Sequence, residues 1–138
     1  MYMRTPETDR KPTVLVADKD GEFVNRFKIK LVALQVEVVS FTSGQRLLDE
    51  ARRLQPKLII LNTALNDLDG LSVIDRIREG KWSDVPVVVI LENDSENLQE
   101  QAVRKQVLCR MEPPVDLNAL RDVVVRVLNM QVEKANGY

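Results

Sequence analysis

PKLIILNTALNDLDG, residues Pro56–Gly70, is the stretch whose reading decides the fold. Leu58–Leu61 is a short unbroken apolar run, the pattern of a strand buried on both faces in a parallel sheet. The run stops at Asn62, a polar loop follows, and Asp69-Gly70 stands ahead of a helical pattern. In open α/β sheets, ligands and chemistry gather outside the carboxyl ends of the strands. Asn62 therefore stands where an active side chain is expected, and it is an amide.

Working outward, Thr13–Ala17 (TVLVA) reads as a strand that ends in Asp18-Lys19-Asp20. From Gly21 the period becomes helical, with Phe23, Phe27, Leu31 and Leu34 recurring and Asp20 suited to cap the helix. Val36–Phe41 is a second strand, broken by Glu37 as an edge strand would be. Ser43 caps a helix carrying Leu47, Leu48, Ala51 and Leu54, and Pro56 closes it. Beyond the central stretch, Asp69 caps a helix with Leu71, Ile74 and Ile77 that ends near Gly80. Pro86–Leu91 (PVVVIL) is the strongest central-strand signal. Asp94 or Ser95 caps a fourth helix to about Lys105, whose apolar stripe (Leu98, Ala102, Val103) is thin. Val107–Met111 is a fifth strand marked as less buried by Arg110, and Asp116 caps a last helix with Leu117, Leu120, Val124, Val127 and Leu128.

Five strands alternating with five helices give a parallel sheet, because each crossover is right-handed and must cover a face. Polar interruptions only in the second and fifth strands put those two at the edges. The expected fold is a single (βα)5 flavodoxin-like doubly wound sheet with strand order 2-1-3-4-5. Residues 1–12 read as a flexible lead-in, 13–130 as the domain, and 131–138 as a polar tail or the start of a linker.

Composition narrows the chemistry. The 138 residues are 44% hydrophobic and 30% charged, with a net charge of -1, so no basic field suggests nucleic acid or an anionic membrane. No apolar run is long enough to span a bilayer and no secretion signal precedes the first strand. Together with a single cysteine, which fits a reducing compartment, this points to the cytoplasm. The chain has no histidine, which removes the commonest metal ligand and the commonest general base together. Cys109 reads as apolar filler, Trp82 as a cover over a core edge, and Asp67 and Asp69 as loop and cap residues.

The layout, with VLVADKD, PKLIILNTALNDLDGL and DVPVVVILE, resembles the receiver domain of bacterial response regulators from about Thr13 to Asn129. Such a receiver takes a phosphoryl group on an aspartate after the third strand. It holds Mg²⁺ with an acidic pair after the first strand, and uses a Ser/Thr after the fourth and a Lys-Pro after the fifth. Placed on this chain, the acceptor position is Asn62, which has no anionic oxygen to attack phosphorus. The acidic pair becomes Asp18-Lys19 with Asp20 next along, the hydroxyl position falls on Leu91, and the Lys-Pro pair on Pro113-Pro114, or its lysine on Glu112 with a slip of one residue; neither choice is a cation. Lys19 would balance Asp18, giving a neutral pocket with no need of a metal.

The resemblance thus implies a degenerate receiver, a pseudo-receiver signalling without phosphorylation through protein contacts, not an enzyme, and with neither cofactor nor metal. Alternatives are a small-molecule sensor using the vacated pocket and a residual phosphoryl acceptor at Asp18 or Asp20. The partner face is placed on the fourth helix, fifth strand and fifth helix. Glu96, Glu100, Arg104, Arg110, Arg121 and Arg126 surround an apolar belt with Val123 and Val125, and a second copy could pair there.

Overall fold

Val14 to Ala17, Leu58 to Leu61 and Val87 to Ile90 are fully or almost fully buried, and these runs form the middle of the sheet. The computed structural model describes residues 11–80, 84–92 and 96–135. Its five strands are β1 (Thr13–Ala17), β2 (Glu37–Phe41), β3 (Leu58–Asn62), β4 (Val87–Ile90) and β5 (Cys109–Met111). They pair in parallel in the order β2-β1-β3-β4-β5, the expected topology. Between and after them lie α1 (Gly21–Lys30), α2 (Gly44–Leu54), α3 (Gly70–Glu79), α4 (Glu96–Arg104) and α5 (Leu117–Ala135).

The helices cover the sheet in two layers. One side buries Leu47 and Ala51 of α2 and Leu71, Val73, Ile74 and Ile77 of α3 against Leu15, Ile59, Leu61, Val87 and Val89. The other buries Val24 and Phe27 of α1 and Leu120, Val124 and Val127 of α5 against Val14, Val16, Leu58, Ile60, Val88 and Ile90. Alternate residues of each central strand feed opposite layers, so these strands read as continuous apolar runs.

The capping residues act as their types suggest. Asp20 Oδ1 accepts from the N–H groups of Glu22 and Phe23, Ser43 Oγ from that of Arg46, Asp69 Oδ1 from that of Leu71, and Asp116 Oδ1 from those of Asn118 and Ala119. Gly70 has a further reason to be glycine: a Cβ there would lie 2.6 Å from the Asn62 carbonyl oxygen. The start of α3 is thereby pressed against the end of β3.

Beyond one-residue shifts at strand ends, three boundaries differ from expectation. A 3-10 turn at Val32–Leu34 follows α1 and replaces the end of its helical pattern. β5 begins at Cys109, not at residue 107, with Leu108 half exposed. α5 continues through Ala135, across part of the expected tail, because Gln131–Ala135 contains good helix formers and no glycine or proline. Trp82, Asp94 and Ser95, assigned a cover and caps above, lie outside the described residues.

Candidate functional site

The site continues one face of the sheet. Val16, Ile60 and Ile90 pack toward α1 and α5, and side chains alternate along a strand. Two residues further along each chain segment, Asp18, Asn62 and Glu92 emerge on that same side. A cavity of about 240 Å³ opens over them, walled by Phe23, Ile90, Pro113, Val115 and Leu117.

Asn62 is 4% exposed, and all of its side-chain polar atoms are engaged. Oδ1 accepts from the Ala64 N–H at 2.7 Å, which fixes the amide's orientation. Nδ2 then donates to Asp18 Oδ2 at 3.1 Å and to Glu92 Oε2 at 2.8 Å. A carboxamide nitrogen has two hydrogens, and here each meets a carboxylate. Bonds of this kind, to ionised acceptors, are about twice as strong as neutral ones.

Each carboxylate has a second tether. Asp18, as buried as Asn62, accepts at Oδ1 from the Asp20 N–H at 2.9 Å. Burial pushes the Asp18 carboxyl above its ordinary value and the nearby Glu92 and Asp20 carboxylates add to this, while the bonds from Asp20 N–H and Asn62 oppose it. The Glu92 N–H donates to Thr63 Oγ1 at 3.1 Å, holding the segment after β4 against the end of β3. At the other end of the loop after β3, the Asp67 carboxylate accepts from the N–H groups of Gln45 and Gly44 and from Ser43 Oγ. These bonds, led by the one from Gln45, hold its carboxyl well below the usual range. Asp67, read from sequence as a loop residue, also anchors that loop to the start of α2.

The residues around Asn62 do not suit a divalent cation. Asp18 has both oxygens committed, Asp20 caps α1, and the space between Asp18 and Glu92 is filled by the Nδ2 group, a donor where a cation would need acceptors.

Several expectations change here. Leu91 does not enter the cavity; it is buried in the opposite layer with the side chains of α2 and α3, because it follows Ile90 and alternation turns it away. Glu92 takes the place beside Asn62 that was assigned to Leu91. Lys19 is exposed at the cavity edge and makes no ion pair among the described residues, so Asp18 is held by Asn62, not by Lys19. The lining is not neutral either. Four carboxylates (Asp18, Asp20, Glu22, Glu92) face two cations (Lys19, Arg26), and Arg26 bonds Glu22 at 2.5 Å. Pro113 does line the cavity, and its bond to Pro114 is cis.

The expected partner face is only partly assembled. Glu100, Arg104, Arg110 and Arg126 are exposed, and Arg121 and Val125 are half-buried. Val123 packs against the core beside α1 and α5, and residues two apart lie on opposite flanks of a helix, so it shares no belt with Val125. Val103 of α4, 60% exposed, offers the apolar surface instead. Lys105, just past the end of α4, pairs with Asp75 of α3 at 2.5 Å. The Glu96 side chain lies outside the described residues.

Residues 14–125 match the family described as response regulator receiver domain. The chain is similar to the alkaline phosphatase synthesis transcriptional regulatory protein PhoP of Bacillus subtilis, 28% identical over 83 residues, covering 60% of this chain and 34% of that protein. It spans about a third of the length of the curated relatives it matches. Among solved structures, a CheY-like receiver domain protein of Methanospirillum hungatei superimposes with a TM-score of 0.81 at 14% identity, covering 91% of this chain and 99% of that one. A receiver protein of Pseudomonas putida gives 0.78 at 19% identity, covering 85% and 98%. Among the described residues, no helix is long and apolar enough to cross a membrane.

Proposed function

This chain belongs to the response regulator receiver family, and we propose that it acts there as a pseudo-receiver, a signalling module that works through protein contacts without being phosphorylated. One observation carries this reading: the Asn62 amide sits between Asp18 and Glu92 and bonds to both. An amide oxygen carries no anionic charge with which to attack phosphorus, and here it is already bound to the Ala64 N–H. The amide hydrogens meanwhile offset the repulsion between two carboxylates that a divalent cation would otherwise have to relieve. The pocket is stabilised in one state by its own side chain.

The α4–β5–α5 face is the proposed surface for a protein partner or a second copy, with Val103 and Val125 as its apolar elements and Arg104, Arg110 and Glu100 around them. A receiver of this kind has no catalytic step to perform, so the domain is proposed not to be an enzyme. The cytoplasm is the compartment proposed for it.

A small-molecule sensor is the second reading, favoured by the cavity's apolar wall. Its volume of about 240 Å³ falls below the roughly 300–1,000 Å³ of usual ligand sites, which limits it to small ligands, since about 150 Å³ already takes a benzene-sized molecule. Intact mass after incubation with acetyl phosphate and Mg²⁺ tests the leading reading. The expected result is no phosphoryl adduct. An adduct that disappears on Asp18→Asn or Asp20→Asn would establish a residual acceptor in its place.

A further inference from the structure

The pole of the sheet opposite Asn62 carries a second feature. Lys11 leads into β1, residues 36–38 open β2, and the end of α1 turns through Val32–Leu34 beside them. Together they enclose a groove of about 480 Å³. Its floor is apolar, with Leu31 buried and Val36 and Val38 half-buried. On its shoulder stand Ile29 and Val32, 72% and 76% exposed, the two most exposed large apolar side chains among the described residues. They are three residues apart around the end of α1 and so share one side.

The rim is basic. Lys11 and Lys28 line the groove, and Glu37 is the one acid in the lining. Neither lysine forms an ion pair among the described residues. A locally positive, apolar-floored groove stands out on a chain whose net charge is -1. Exposed apolar side chains beside a concave apolar floor mark contact surfaces more often than scattered single residues do.

We infer that this groove docks an acidic amphipathic segment of a partner protein, its apolar side chains over Leu31, Val36 and Val38 and its carboxylates against Lys11 and Lys28. Charge selects this occupant over the others. A second copy meeting the same surface about a two-fold axis would set lysines against lysines. Nucleic acid would gain about two phosphate contacts, far fewer than the 6–10 of a firm complex, and would leave the apolar floor unused. An anionic bilayer would gain about 1 kcal/mol per lysine, and a fluid surface does not fill a concave slot. An amphipathic helix laid in a groove uses both features at once.

The groove lies roughly 17 Å from the Asn62 cavity, the length of a five-residue strand at about 3.3 Å per residue. It is independent of the function proposed above and survives the failure of that reading. The test uses the full chain, isotope-labelled, titrated with a helical peptide of about 18 residues, long enough to hold a helix. The peptide carries leucine at positions i, i+3, i+4 and i+7 and glutamate elsewhere; a second peptide carries lysine in place of every glutamate. The acidic peptide should shift the amides of residues 28–38 and of Lys11, weaken with salt, and bind about tenfold less well to Lys28→Glu and to Val32→Ser. Lys28 and Val32 are both exposed, so the variants should fold. No shift of those amides at millimolar acidic peptide, equal binding of the lysine peptide, or binding unchanged by Lys28→Glu would overturn the inference. Capture by phosphatidylserine vesicles that depends on Ile29 and Val32, without peptide binding, would overturn it in favour of a membrane contact.

Discussion

Replacing Asn62 by aspartate, the change that restores the family's acceptor residue, should destabilise this protein. The variant exchanges a donor for a third carboxylate at 3.1 Å from Asp18 Oδ2 and 2.8 Å from Glu92 Oε2. Glu92 is exposed and can swing into solvent, so most of the cost falls on Asp18, which is buried. Losing a hydrogen bond to a charged group costs about 1.5–3 kcal/mol. Two unit charges about 3 Å apart repel by about 5 kcal/mol at an effective dielectric of 20. Proton uptake sets a ceiling on the second cost. Protonating an ordinary carboxyl at pH 7 costs about 4 kcal/mol, three pH units at 1.36 each, and only about 1.5 at pH 5.

A protonated aspartate at this position keeps one donor toward Asp18, so the expected loss for Asn62→Asp is about the cost of the proton, about 4 kcal/mol at pH 7 and about 1.5 at pH 5. Asn62→Ala loses the bonds without adding a charge, so it should be the milder change at pH 7 and the worse one at acid pH. Urea denaturation of the three proteins at both pH values, in EDTA, measures this order. Asn62→Asp as stable as the parent at pH 7 would refute the view that the amide hydrogens hold the two carboxylates together.

Glu92→Gln keeps the length of the side chain and its N–H bond to Thr63 but removes a charged acceptor; it should cost about 1 kcal/mol and increase hydrogen exchange at Glu92 and Thr63, and unchanged protection would count against the tether. The raised Asp18 carboxyl means the folded protein holds its proton more tightly than the unfolded chain does. The stability it contributes is complete below 3.8 and is lost as pH rises through the folded value. Relative to Asp18→Asn, which cannot titrate there, the parent should lose stability as pH climbs above 3.8, and a difference curve of opposite slope would show the shift to be in the wrong direction. Gly70→Ala drives a Cβ to 2.6 Å from the Asn62 carbonyl and should cost about 1–3 kcal/mol, read as a lowered Tm. If the chain pairs through α4, β5 and α5, Val125→Glu should move it toward monomer in sedimentation without loss of fold, and a parent that is monomeric at high micromolar concentration would exclude the pairing.

The fold was legible because its signals are local and agree with one another. Apolar runs of four or five residues mark the central strands, Asp20, Ser43, Asp69 and Asp116 mark helix starts, and Glu37 and Arg110 mark the edges. The site was half legible. Asp18 and Asn62 follow directly from where β1 and β3 end, but Glu92 was passed over because family spacing drew attention to Leu91. The period of two within the strand held the answer: Ile90 faces the site, Leu91 faces away, and Glu92 faces the site again. Val123 and Val125 were grouped by composition, although residues two apart on a helix point nearly opposite ways. The groove at the other pole joins three segments distant in sequence, and no local pattern announces it.

Asn62 and Glu92 make sense only together. With an aspartate at 62, Glu92 would be a further negative charge in a site already crowded with carboxylates. With a small residue at 92, the second hydrogen of the amide would lack its carboxylate. Paired, they turn the end of β3 and the segment after β4 into one hydrogen-bonded unit. A switch needs a ligand that binds one state more tightly than another. On the proposed function, the groups that would feel such a ligand here already satisfy one another, so reversal of Asn62 alone would remove the tie without supplying the hydroxyl or the lysine that reads a phosphoryl group. Beryllofluoride should then leave the amide spectrum of Asn62→Asp unchanged around α4 and β5. A response spreading into those elements would mean that the switch persists beneath the amide, and that Asn62 only conceals it.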